Sequence, residues 1–226
     1  MSASVIAEPL AAPTGHAPVH TSVAFPRDTL FGAATPGKIA MWIFLVSDAL
    51  SFSGLLIGYG ILRGGSTVWR HPGEPALGVN FTAFLTFLLI CSSVSMVMAY
   101  SAALAGDRKK TALWLALTIL GGLGFLAGQM HEYFGFFPGF PTHPLRGLVG
   151  EGLIPGHSAY ASTFYLTTGF HGCHVLAGVV YLSTVLARVL SGKLDGRPGA
   201  VELAGLFWHF VDLVWILVFT LIYLIP

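Results

Sequence analysis

Five long apolar stretches, parted by short segments rich in glycine, proline and charge, set the pattern of this chain. Crossing a hydrocarbon core of roughly 30 Å takes about 20 apolar residues at helical rise, and the runs at about 37–63, 79–105, 110–134, 157–190 and 200–225 all reach that length. Backbone groups in lipid must be paired within the segment, so the runs predict helices and not open sheet. Their ends are punctuated: Pro36 precedes the first, Gly64 and Gly65 follow it, and a Gly/Pro-rich stretch over about 135–156 breaks the chain after the third. The fourth is long enough to tilt or to project beyond the lipid. The fold class predicted is all-α, a polytopic membrane bundle of five transmembrane helices at 36–226. Residues 1–35, with Pro9, Pro13, Pro18 and Pro26 and no basic-then-apolar leader pattern, are expected to form a mobile N-terminal tail.

Composition agrees with this patterning. Of the 226 residues 54% are hydrophobic and 9% charged, far below the quarter usual for soluble domains. The net charge of +1 and scattered basic residues leave no electrostatic footprint for nucleic acid. Cys91 and Cys173 both lie inside apolar runs, where they behave as small hydrophobes and make no metal or haem-attachment motif.

Lysine and arginine placement predicts the orientation. Arg27, Lys38, Arg108, Lys109, Lys110, Arg188, Lys193 and Arg197 fall on the side shared by the N-terminus, the second loop and the fourth loop, against Arg63, Arg70 and Arg146 on the other. The N-terminus is expected to be cytoplasmic and Pro226 on the opposite face.

Ionisable side chains at membrane depth cost several kcal/mol and need partners or a wet cavity. Here they are Asp48 in the first helix, His171 and His174 in the fourth, and His209 and Asp212 in the fifth, all at similar inferred depth. Each three-residue spacing puts a pair on one helix face, and Trp208 and Trp215 extend the stripe of the fifth helix. Three histidines suit metal or haem ligation, but a low-spin haem wants two opposed axial histidines and an oxygen-reducing centre wants more than three. Mutual hydrogen bonding that fixes helix packing is the favoured reading, with Asp48 expected to bond His171, His174 or His209. Gly121, Gly122, Gly124 and Gly128 predict close helix approach. Trp42, Trp69, Trp114 and Tyr223 are expected in an interfacial belt. The rivals are a small transporter, which calls for broken helices or inverted repeats not visible here, and a haem-binding membrane cytochrome.

These residues also spell a family pattern. The segment WHFVDLVW at 208–215, TGFHGCHV at 168–175, MWIFLVSDALSF at 41–52, the paired Ser92 and Ser93, and the Q-x-x-EY of Gln129, Glu132 and Tyr133 together resemble cytochrome c oxidase subunit III, in order and in every helix. Glu202, six residues before Trp208, matches that family's acidic position. The resemblance implies a non-catalytic subunit of a respiratory haem-copper oxidase, in the short five-helix bacterial form that lacks the first two helices of longer members. It implies no cofactor in this chain, haem and copper in partner subunits, bound phospholipid, and packing against catalytic subunit I and other oxidase subunits. Support of assembly and proton uptake in a bacterial inner membrane, with the C-terminus periplasmic or extracellular, follows from the same likeness. Carried over are Asp48, His171, His174, Glu202, His209 and Asp212 as a structural polar layer, with Trp208 and Arg188 as lipid or interface contacts. Asp48 stands where cytochrome c oxidases usually have glutamate and the quinol-oxidising branch often has aspartate, whereas the TGFHG wording points to cytochrome c as the donor.

Overall fold

The computed structural model describes residues 35–135, 147–194 and 196–225. All but the last residue of the tail expected at 1–35, and much of the connection after the third helix, lie outside them. Five helices are long and apolar enough to cross a membrane: α1 (Pro36–Gly65), α2 (Val79–Leu104), α3 (Arg108–Phe134), α5 (Ala159–Leu190), and α6 (Gly199–Val218) with its π-helical continuation Phe219–Leu224. A single turn, α4 (Gly147–Gly150), lies in the connection where the sequence predicts no helix. Among the described residues there is no strand, and the chain is a multi-pass membrane protein.

Local signals set the helix ends. Asp107 caps α3 by accepting from the Lys110 N–H at 3.0 Å, and Ser158 caps α5 by accepting from Ala161 N–H at 3.0 Å. The C-termini of α2 and α5 close in the same left-handed motif. Asp107 N–H bonds Ala102 O and Lys193 N–H bonds Arg188 O, both at 3.0 Å, with Gly106 and Gly192 each at φ 73°. α6 starts at Pro198 with no side-chain cap.

Helices α2, α3, α5 and α6 pack as a closed ring, each touching the next, and α1 leans on α5 and α6 from outside. The consequence is unequal burial: 17% of the most apolar stretch of α1 is buried, against 50% for α6 with its continuation. Leu50, Ile57 and Ile61 of α1 face outward, as do Phe84 and Phe87 of α2. Lipid tails are as apolar as these side chains, so close packing rather than hydrophobic segregation must hold the ring. Trp208 supplies it. Its indole, 0% exposed, fills the space that two glycines leave. A Cβ on Gly122 would fall 2.5 Å from its Cη2, and one on Gly178 2.9 Å from its Cζ3.

Candidate polar sites within the bundle

The intramembrane ionisable groups do not share one hydrogen-bond network: Asp48 meets His174, His209 and Asp212 meet at Ser93, and His171 stands apart. Asp48 on α1, 8% exposed, places Oδ1 3.1 Å from Nε2 of His174 on α5. The other ring nitrogen of His174, Nδ1, lies 2.8 Å from the Phe170 carbonyl. A carbonyl can only accept, so Nδ1 carries a hydrogen. Nε2 then meets Asp48 in one of two ways, as a neutral acceptor facing a protonated carboxyl or as the donor of an imidazolium facing a carboxylate. One proton lies between the two residues in either form, and the pair as a whole stays neutral. Phe52 covers it edge-on, its ring 5.0 Å from that of His174.

His171 parts company with His174 despite the three-residue spacing. It is 0% exposed, stacks at 4.7 Å on Trp215 and meets the edge of Phe125 at 5.6 Å. Neither ring nitrogen has a hydrogen-bond partner, so the bond to a carboxyl considered for it is absent. α5 turns His174 toward α1 and His171 into the α3–α6 seam.

His209 and Asp212 of α6 share a partner on α2. Ser93 Oγ lies 2.7 Å from His209 Nδ1 and 2.5 Å from Asp212 Oδ2. The serine has one hydrogen, and a carboxylate oxygen can only accept. The ordered chain is therefore His209 Nδ1–H to Ser93 Oγ, and Ser93 Oγ–H to Asp212.

Glu202 sits apart from all of these, near the start of α6, where it pairs with Lys38 of α1 at 2.6 Å. Both side chains are partly exposed, so solvent screens the pair and it contributes little. Arg188 is exposed near the end of α5. Trp208 departs from the expected lipid or interface contact. It is enclosed, and its Nε1–H donates to Ser92 Oγ at 3.0 Å, because glycines on both neighbouring helices admit the whole indole.

Reading the sequence for histidines and aspartates left out a second set of groups. Along α2, hydroxyls form a ladder serving the C-terminal helix: Ser93 holds His209 and Asp212, Ser92 holds Trp208, and Thr86 accepts from Trp215 Nε1 at 2.9 Å. At its far end Glu132 of α3, 2% exposed, lies 3.1 Å from Thr82 Oγ1 and accepts from the Tyr223 hydroxyl at 3.0 Å. Tyr223 is thus inside the bundle and not in an interfacial belt. Beside it, Gln129 Nε2 donates to both the Tyr133 hydroxyl, 2.9 Å, and the Thr168 carbonyl, 2.8 Å. Tyr133 in turn lies 2.6 Å from Thr168 Oγ1. The signal was present in Q-x-x-EY, which places Gln129 and Tyr133 on one face and Glu132 on the next; what each would meet was not.

Among the described residues no three His, Cys, Asp or Glu side chains converge as a metal site. Chemically, the arrangement joins helices by polar contacts, while one oxygen each of Asp48, Asp212 and Gln129 and both His171 nitrogens stay buried without a hydrogen-bond partner among the described residues.

The comparisons agree with the resemblance. Residues 149–225 match the family described as Cytochrome c oxidase subunit III. The chain is 37% identical to Cytochrome c oxidase subunit 3 of Corynebacterium diphtheriae, over 81% of this chain and 85% of that one. It is 36% identical to Cytochrome c oxidase subunit 3 of Synechocystis sp., over 81% and 73%. It is also 30% identical to Cytochrome bo(3) ubiquinol oxidase subunit 3 of Pseudomonas putida, over 83% and 84%. With likeness of this extent along most of its length, the chain belongs to the cytochrome c oxidase subunit III family.

Proposed function

We propose that this chain is the non-catalytic third subunit of a proton-translocating haem-copper terminal oxidase. In this reading it packs against catalytic subunit I and other oxidase subunits in the bacterial inner membrane, holds phospholipid, and supports assembly and proton uptake while haem and copper in partner subunits reduce oxygen. The observation that carries the accessory role is the engagement of its intramembrane side chains with one another: Asp48 with His174, and His209 and Asp212 with Ser93. Asp48, His171, His174, Glu202, His209 and Asp212 then serve structure, as separate helix-joining contacts, and Arg188 is the lipid or interface contact. The five-helix domain spans 36–226, with the N-terminus cytoplasmic and the C-terminus periplasmic or extracellular. The basic residues support that orientation, eight of the 11 lying on the N-terminal side.

Affinity purification of the tagged chain in mild detergent tests this. A larger, histidine-rich multi-helix subunit and its haem spectrum should co-purify, and the chain separated from it should show no Soret band. A stable, monodisperse chain free of any oxidase subunit would overturn the reading. A quinol-oxidising parent complex is the second reading, favoured by Asp48 and by the Pseudomonas putida relative. Turnover of the purified complex with ubiquinol but not with reduced cytochrome c would select it.

A further inference from the structure

On the face where α1 begins, the turn joining α2 to α3 meets the loop joining α5 to α6, and a depression of ≈ 70 Å³ lies between them. One water needs only about 10–15 Å³ on this measure, so a tetrahedral oxyanion fits. Two arginines, both exposed, are among the residues that line it, Arg108 from the first turn and Arg197 from the second loop. Neither takes part in a hydrogen bond or an ion pair among the described residues. The acids with described side chains nearest in sequence are engaged elsewhere: Asp107 with Lys110 at 3.2 Å, and Glu202 with Lys38 at 2.6 Å. Pro198 at the mouth of α6 offers no side-chain cap, so first-turn N–H groups of that helix add positive potential to the same spot. The remaining wall is apolar, with Ala103 from the end of α2, Val189 from the end of α5 and Val201 from the start of α6.

We propose that this depression is an anion site for a phosphate group, bound by Arg108 and Arg197 together. Two guanidinium forks from separate loops match the oxygens of one phosphate better than a monodentate carboxylate or a halide. The apolar wall of helix ends suits a phosphodiester whose remaining atoms are apolar; a free phosphate would use the two arginines alone.

The test uses the complex that contains this chain, delipidated in mild detergent. One arm re-equilibrates it with phosphatidylglycerol and measures retained lipid phosphorus per chain. The other measures binding of inorganic phosphate. Arg108→Gln/Arg197→Gln is compared with Lys109→Gln/Lys193→Gln, which removes the same charge from exposed side chains outside the depression and leaves the Asp107–Lys110 pair in place. Arg108→Lys/Arg197→Lys keeps the charge should the first variant fail to assemble. Loss of each guanidinium should weaken binding by about tenfold, and the lysine pair control should match the parent. An effect of the arginines on the lipid arm assigns a headgroup as the ligand, and an effect on inorganic phosphate alone assigns the free ion; both support the site. No saturable binding by the parent in either arm, or equal losses in the arginine and lysine variants, would overturn it.

Discussion

Gly122→Ala is the sharpest probe of what holds the bundle. The added methyl would sit 2.5 Å from Trp208 Cη2 and 2.8 Å from Val179 Cγ2, where ordinary carbon contacts lie at about 3.5–4.0 Å. A shift of about 1 Å is therefore required. The indole cannot retreat, because Gly178 presses its opposite edge and its N–H is tied to Ser92. The helices must separate, at a cost of about 1–3 kcal/mol for overpacking. Trp208→Phe alone removes the six-membered ring atoms and the bond to Ser92, costing about 2 kcal/mol. It also vacates the space the new methyl needs. The double variant should thus be less destabilised than the sum of the singles, by about 1–2 kcal/mol. SDS titration in mixed micelles, followed by circular dichroism, measures all four corners of the cycle. Additivity within about 0.5 kcal/mol would refute the clamped-indole account.

Three further outcomes follow from the polar contacts. Asp48→Ala should loosen association of this chain with its complex, seen as subunit loss on heating, while the haem spectrum of assembled enzyme is unchanged; an altered spectrum would count against a structural role. Glu132→Leu strands the Tyr223 hydroxyl at about 1–3 kcal/mol, while Thr82 keeps the Gly78 carbonyl as acceptor, and should speed hydrogen exchange over 219–224, whereas Glu132→Gln, which keeps an acceptor, should not. At the start of α3, the Lys110 backbone and ammonium groups hold the Asp107 carboxyl below its ordinary 3.8. A lowered folded-state value means its contribution is present above 3.8 and lost as pH falls through the depressed value, so fraying of the first turn of α3 should appear only below about pH 4 and be absent in Asp107→Asn.

The sequence by itself determined the membrane, the five spans and the residues carrying the family likeness. Those follow from run length, breakers and local motifs, and Asp107, Ser158, Gly106 and Gly192 act within a few residues of themselves. It also fixed that Asp48 required a partner, since a carboxyl in hydrocarbon has no alternative. Which partner it takes was decided by tertiary structure. Helical spacing says that His171 and His174 share a face, but a face about 100° wide can border two neighbours. α1 lies on one side of α5 and the α3–α6 seam on the other, so one histidine finds Asp48 and the other finds Trp215. The same holds for Trp208. The family likeness offers Trp208 as a lipid or interface contact, but Gly122 and Gly178, far away in sequence, are brought to either side of it. The depression at Arg108 and Arg197 joins positions 89 residues apart, and only the closed ring of α2, α3, α5 and α6 puts their two loops side by side.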